Sequence, residues 1–153
     1  MADNVDDISA RIESVVQEVN QKITSGMKSR AYAAANELRN SSQEILRGQR
    51  SGRTYRIPGS KGRYTASAPG EPPAIRTGAF RSNWQAKTET TGNGTDLSVK
   101  AFIESNTKTD NGKYLLGQVL EEGSKRMAPR PYKEAIQQDA LPRILKIYKK
   151  PYL

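Results

Sequence analysis

The chain holds 153 residues, with 25 Lys and Arg against 16 Asp and Glu, and neither His nor Cys. That length fits one domain. Only 35% of the residues are hydrophobic, so a large part of the chain is expected outside any core. The absence of His and Cys excludes a Ser-His-Asp triad, a cysteine nucleophile, a thiolate cluster, an ordinary zinc site and any disulfide.

The charge is uneven. Residues 1–46 carry 5 basic and 7 acidic side chains, residues 47–103 carry 10 and 3, and residues 104–153 carry 10 and 6. A basic middle beside an acidic first segment predicts a local surface facing a polyanion. The start, Met-Ala-Asp-Asn-Val-Asp-Asp, lacks the basic and apolar run of a signal peptide. No stretch approaches the ~20 apolar residues that cross a bilayer. A soluble cytoplasmic protein without membrane contact is expected.

The first element is a long helix. Val5, Ile8, Ile12, Val15, Val19, Ile23, Met27, Ala31, Ala35 and Leu38 recur at a mean spacing of about 3.67 residues, close to the helical period. That spacing fits an eleven-residue repeat better than a heptad, which argues against a left-handed coiled coil. Gly26 is the weak point, costing about 1 kcal/mol relative to Ala. A continuous helix from about Asn4 to Arg47 would run ~65 Å. A body of the remaining residues cannot cover it, so Ile12, Val19, Ile23 and Met27 are candidates for contact with another subunit.

Residues 48–73 form a Gly- and Pro-rich loop. Within it, Arg53–Ile57 and Arg63–Ala66 flank Pro-Gly-Ser-Lys-Gly, a hairpin with a five-residue turn. An isolated two-stranded hairpin is marginal in water, so mobility until a partner arrives is expected. Thr77 is placed to cap a short turn leading to Trp84. Strands are expected over Trp84–Thr91 and Thr95–Ile103 around Gly92-Asn-Gly94, whose Asn-Gly pair is a hairpin signal. A helix over Lys113–Glu122 ends at Gly123, and residues 124–131 read as extended. A last helix starts near Pro131, with Pro142 expected to kink or split it. The fold class is α+β: a long N-terminal helix, a small antiparallel sheet, a protruding basic hairpin, a short helix and a C-terminal helix, all in one domain.

The run Arg47, Arg50, Arg53, Arg56, Lys61, Arg63 meets no acidic residue between Glu44 and Glu71, and Tyr55 and Tyr64 are interleaved. Two readings stand. The arginines and Lys61 lie along phosphates with stacking by the tyrosines, or they solvate a loop and discourage aggregation. No base-reading motif is present. Enzymatic candidates are ordinary surface features. Glu121 and Glu122 are adjacent and face differently on a helix, and Asp96, Glu104 and Asp110 match no calcium loop. No catalytic residue, metal or cofactor is expected. Trp84 reads as a core anchor with Phe80 and Phe102 beside it.

Ala66-Ser-Ala-Pro-Gly-Glu-Pro-Pro-Ala74 followed by Arg76-Thr-Gly-Ala-Phe-Arg-Ser-Asn-Trp84 resembles the Pro-rich loop and Thr-Gly-aliphatic/aromatic-Arg-x-Ser element of tailed-phage neck proteins. These are the head–tail joining, or tail-completion, proteins. Tyr114-Leu-Leu-Gly-Gln-Val-Leu-Glu-Glu-Gly-Ser124 resembles their short helix ending in a Glu-x-Gly turn. Ala128-Pro-Arg-Pro-Tyr-Lys-Glu-Ala135 resembles the start of their last helix. The resemblance covers about residues 48–150.

It implies a non-enzymatic virion protein at the head–tail interface, assembled in the host bacterial cytoplasm. It also implies a homo-oligomeric ring of six or twelve copies, set between head-completion or portal-side proteins and tail-terminator or tail-tube proteins, with DNA passing non-specifically through the lumen. The hairpin's roles are read from its own residues: in such a ring Arg50, Arg53, Arg56, Lys61 and Arg63 are expected to face DNA or the lumen. A second hypothesis makes the loop, with Tyr55, Tyr64, Pro72 and Pro73, a docking arm that orders by strand addition on an adjacent ring protein. The other functional expectation is a sequence-independent nucleic-acid-binding protein acting outside a virion.

Overall fold

A computed structural model describes residues 2–153. Helix α1 spans Ala2–Arg47 without a break at Gly26, about 69 Å at the usual rise. Then follow β1 (Thr54–Arg56), β2 (Arg63–Thr65), α2 (Ala79–Ser82), β3 (Gln85–Thr91), β4 (Ser98–Glu104), α3 (Leu116–Glu122) and α4 (Lys133–Tyr148). Strands β1 and β2 form one antiparallel pair, and β3 and β4 another. The class is α+β, as the sequence predicts.

The two halves of α1 differ. Its C-terminal half carries small residues where α4 approaches: Ala31, Ala34, Ala35, Ser41 and Ser42 are all buried. Small side chains let the helix backbones pack closely. Arg143 of α4 fastens this antiparallel pair. Its Nε donates to Glu37 at 2.7 Å, and its Nη2 donates to Asp139 at 2.9 Å and to the buried Ser41 hydroxyl. Hairpin β3–β4 also packs on α1, through the alternating face of Val99, Ala101 and Ile103.

The core gathers at the end of α1, where Leu46, Trp84, Tyr132 and Ile136 are buried and Leu38, Ile45, Phe80, Ile103 and Leu120 close around them. Phe80, Trp84 and Tyr132 stand edge to face, with centroids 5.5–5.8 Å apart, a geometry favoured by the ring quadrupoles. The sequence places Phe80 beside Trp84 correctly. Its other expected neighbour, Phe102, lies instead across from Lys87 in the β3–β4 register, on the sheet face turned from α1. Tyr132 takes that place.

Further differences have local causes. The β3–β4 connection is longer than an Asn-Gly turn, because Gly92 and Gly94 take left-handed φ while Asn93 between them is extended at φ −153°. A two-residue type I′ turn needs two consecutive left-handed residues. Strand β4 accordingly begins at Ser98, after a single 3-10 turn at Gly94–Asp96. Helix α3 starts at Leu116, not Lys113, since Thr109 N–H bonds Tyr114 O (2.9 Å) and Leu116 N–H bonds Thr107 O (2.8 Å), committing 113–115 to a loop. Residues 124–127 close a tight turn, with Ser124 N–H on Met127 O at 2.8 Å. Helix α4 runs through Pro142 unsplit, held on α1 by Ala140 and Arg143 on either side.

Candidate functional site

The basic loop is pinned at its base. Gly52 N–H donates to Ala66 O and Ala66 N–H to Arg53 O, both at 2.9 Å. A methyl group on Gly52 would stand 2.4 Å from that Ala66 oxygen, so only glycine permits the approach. Glu71 closes the neck. Its carboxylate accepts from the Ser51 hydroxyl at 2.5 Å, the Ser51 amide at 3.1 Å and the Ala68 amide at 2.8 Å. These bonds, the Ser51 hydroxyl first, hold its pKa down to about 2. The expectation of a hairpin free to move meets an anchored base.

The turn is one residue shorter than expected: Ile57 N–H donates to Gly62 O at 2.9 Å and continues the ladder, which leaves the four residues 58–61 as the loop. Register pairs Thr54 with Thr65, Tyr55 with Tyr64, and Arg56 with Arg63. Strand alternation therefore sorts the side chains. The tyrosines share one face, rings 5.9 Å apart. Arg56 and Arg63 share the other with Thr54 and Thr65, whose hydroxyls bond at 3.1 Å. Like charges directly opposite on a hairpin are unfavourable by themselves. Among the described residues no carboxylate lies within ion-pair distance of Arg53, Arg56, Lys61 or Arg63. All four are exposed.

Arg50 does not join them. Its guanidinium turns inward, donating to Ile45 O at 2.7 Å and Pro73 O at 3.2 Å. Burial pulls its pKa below the ordinary guanidinium value, against the opposing pull of Glu71. It satisfies a carbonyl left open at the C-terminus of α1 and ties the returning chain to it, so its expected lumen-facing place is corrected. Pro73 is buried under the same contact, which removes it from an accessible docking loop. Pro72 and Tyr64 are half-buried, and Tyr55 is 46% exposed.

On the N-terminal half of α1, Val5, Ile8, Ile12, Val15 and Val16 are each 51–64% exposed. Of the candidate interface residues, Ile12 belongs to this open stripe, whereas Val19, Ile23 and Met27 are half-buried. Val16 extends the stripe and lies off the spacing read from the sequence.

The cleft between residues 73–81 and 107–120 encloses about 460 Å³. Phe80, Leu116 and Leu120 line it, and Arg76 and Asp110 pair at 3.7 Å. Among the described residues Asp110 is the only carboxylate on its wall. Among the described residues no three metal-ligating side chains cluster, and no helix is long and apolar enough to cross a membrane.

Glu121, which reads as an ordinary surface acid in the sequence, has a structural role. Its carboxylate accepts the amides of Tyr132 (2.9 Å) and Lys133 (3.2 Å), capping α4 from a different helix. Tyr132 returns a hydrogen bond to Gly117 O at 3.0 Å; burial, then Glu121, push its phenol pKa well above the ordinary value. The α3 segment and the start of α4 are thus one hydrogen-bonded unit. Compared with family models, with curated proteins and with solved structures, the chain matches none of them.

Proposed function

We propose that the protein is a structural subunit of a phage head–tail connection, a ring component that joins head to tail and presents its basic hairpin to the DNA channel. The observation that carries this reading is the stripe of five β-branched side chains on the free half of α1. Isolated exposed aliphatics are ordinary, whereas a continuous apolar stripe marks a contact surface. A ring requires each subunit to give one patch and receive on another. The hairpin supports the second part of the proposal. Arg56 and Arg63 repel one another until an anion lies across them, and several copies would sum a modest loop into a positive collar. Contacts to phosphate are independent of sequence, which suits DNA that must slide.

The same hairpin favours one other reading, a nucleic-acid-binding protein acting outside a virion, with Tyr55 and Tyr64 as stacking platforms. Light scattering at low and high salt, with and without short duplex DNA, separates the two. A discrete large oligomer indifferent to DNA supports the ring. A monomer that shifts only with DNA, and loses it steeply as salt rises, overturns the ring in favour of the second reading. Replacing Arg53, Arg56, Lys61 and Arg63 together by Ser should leave the circular dichroism unchanged and impair particle joining or DNA passage. Normal infectivity of such particles would remove the hairpin from the DNA channel.

A further inference from the structure

Helix α4 carries a second uncovered apolar face. Leu141, Leu145 and Tyr148 follow at i, i+4 and i+7, each 40–51% exposed, and so line one side of the helix. Between Leu141 and Leu153 the chain has Arg143, Lys146, Lys149 and Lys150 and no acidic residue. Arg143 is spent on Glu37 and Asp139, and the three lysines have no carboxylate within ion-pair distance among the described residues. The open stripe of α1 has the opposite sign: over residues 5–18, Asp6, Asp7, Glu13 and Glu18 outnumber the single Arg11. With Asp7 paired to Arg11 and Glu18 to Lys22, Asp6 and Glu13 are left without an ion-pair partner among the described residues.

These faces cannot meet within one molecule. The C-terminal segment following α4 lies on α1 at Gly26–Arg30, where Arg30 bonds Pro151 O, and α1 continues unbroken beyond that point to Ala2. Residues 5–16 therefore project past the end of their own α4 by roughly 15–30 Å at 1.5 Å per residue. Two free α1 halves packed on each other would bring like charges together.

We infer that the free half of α1 docks on the Leu141–Leu145–Tyr148 face of α4 in a second copy of this chain. Apolar stripes interlock there as ridges in grooves, and the lysines face Asp6 and Glu13 along the edges. The contact joins two different patches, so each copy gives a helix and receives one, and successive copies add head to tail. The inference rests on the ring reading and names its interface.

Because the chain has no cysteine, single-cysteine variants report the contact directly. Ile12→Cys and Leu145→Cys chains, both full length, are mixed and treated with a short bis-maleimide. The mixture is expected to give a crosslinked heterodimer, and neither variant alone should crosslink. Homodimers of the Ile12→Cys chain, or no crosslink in a mixture that light scattering finds assembled, overturn the inference while leaving the ring intact. Leu145→Glu, at an exposed position, is expected to abolish self-association with unchanged circular dichroism. Assembly equal to wild type would overturn the inference. A wild-type chain that stays monomeric at the highest attainable concentration overturns both this interface and the ring reading.

Discussion

Gly26 lies directly beneath the ring of Tyr152: a methyl group built on Gly26 would stand 3.0 Å from Tyr152 Cδ1. Arg30, one turn along α1, covers the same ring at 3.6 Å from its centroid and bonds the Pro151 carbonyl at 2.5 Å. The residue that looks like a flaw in a long helix is the place where the C-terminal segment sits down.

This contact predicts a background-dependent substitution. In a Tyr152→Ala chain, Gly26→Ala should stabilise by roughly 0.5–1 kcal/mol, the usual gain of Ala over Gly in a helix. With Tyr152 present the gain should shrink, because the ring must move. Urea unfolding of the four chains measures that coupling; equal gains in both backgrounds would mean the ring does not rest on Gly26.

Gly117 is held for a similar reason. A methyl group there would stand 2.6 Å from the Tyr132 hydroxyl and 3.4 Å from Phe80. Gly117→Ala should therefore destabilise by about 2 kcal/mol or more, despite its better helix propensity, since a buried ring must shift in a packed core. Tyr132→Phe, which loses one hydrogen bond, should cost only about 1 kcal/mol. Chemical denaturation ranks the two, and the reverse order would contradict the packing.

The cap on α4 comes from outside the helix. Glu121→Ala leaves the Tyr132 and Lys133 amides without their acceptor, and should cost about 1 kcal/mol, as loss of an N-cap does. Glu121→Gln keeps an acceptor oxygen but loses the charge that favours a helix N-terminus. It should fall between wild type and Ala in the same unfolding measurement.

The hairpin neck depends on acid. Glu71 has a folded-state pKa lowered from 4.5 to about 2. A lowered carboxylate pKa stabilises the closed neck above the unfolded value, and that stabilisation disappears as pH falls through about 2. The Ser51 and Ala68 amide resonances should report this midpoint in an NMR titration, and Glu71→Gln should remove it. A Glu71 midpoint near 4.5 would mean that the neck is open in solution.

By itself the sequence determines the long helix, the basic hairpin, Trp84 as a core residue and the absence of side chains for thiol or imidazole chemistry. Helical period, strand alternation and glycine spacing are local quantities, so they can be read along the chain. Tertiary structure alone decides what long-range contacts decide. Arg50 looks like its neighbours in the basic run, yet it turns inward because α1 leaves a carbonyl free beside Pro73. Glu121 reads as a surface acid and becomes a cap because α3 ends against the first turn of α4. Val5 and Ala35 share one helical stripe, and only the positions of α4 and the β3–β4 hairpin along α1 separate the half that is covered from the half left open.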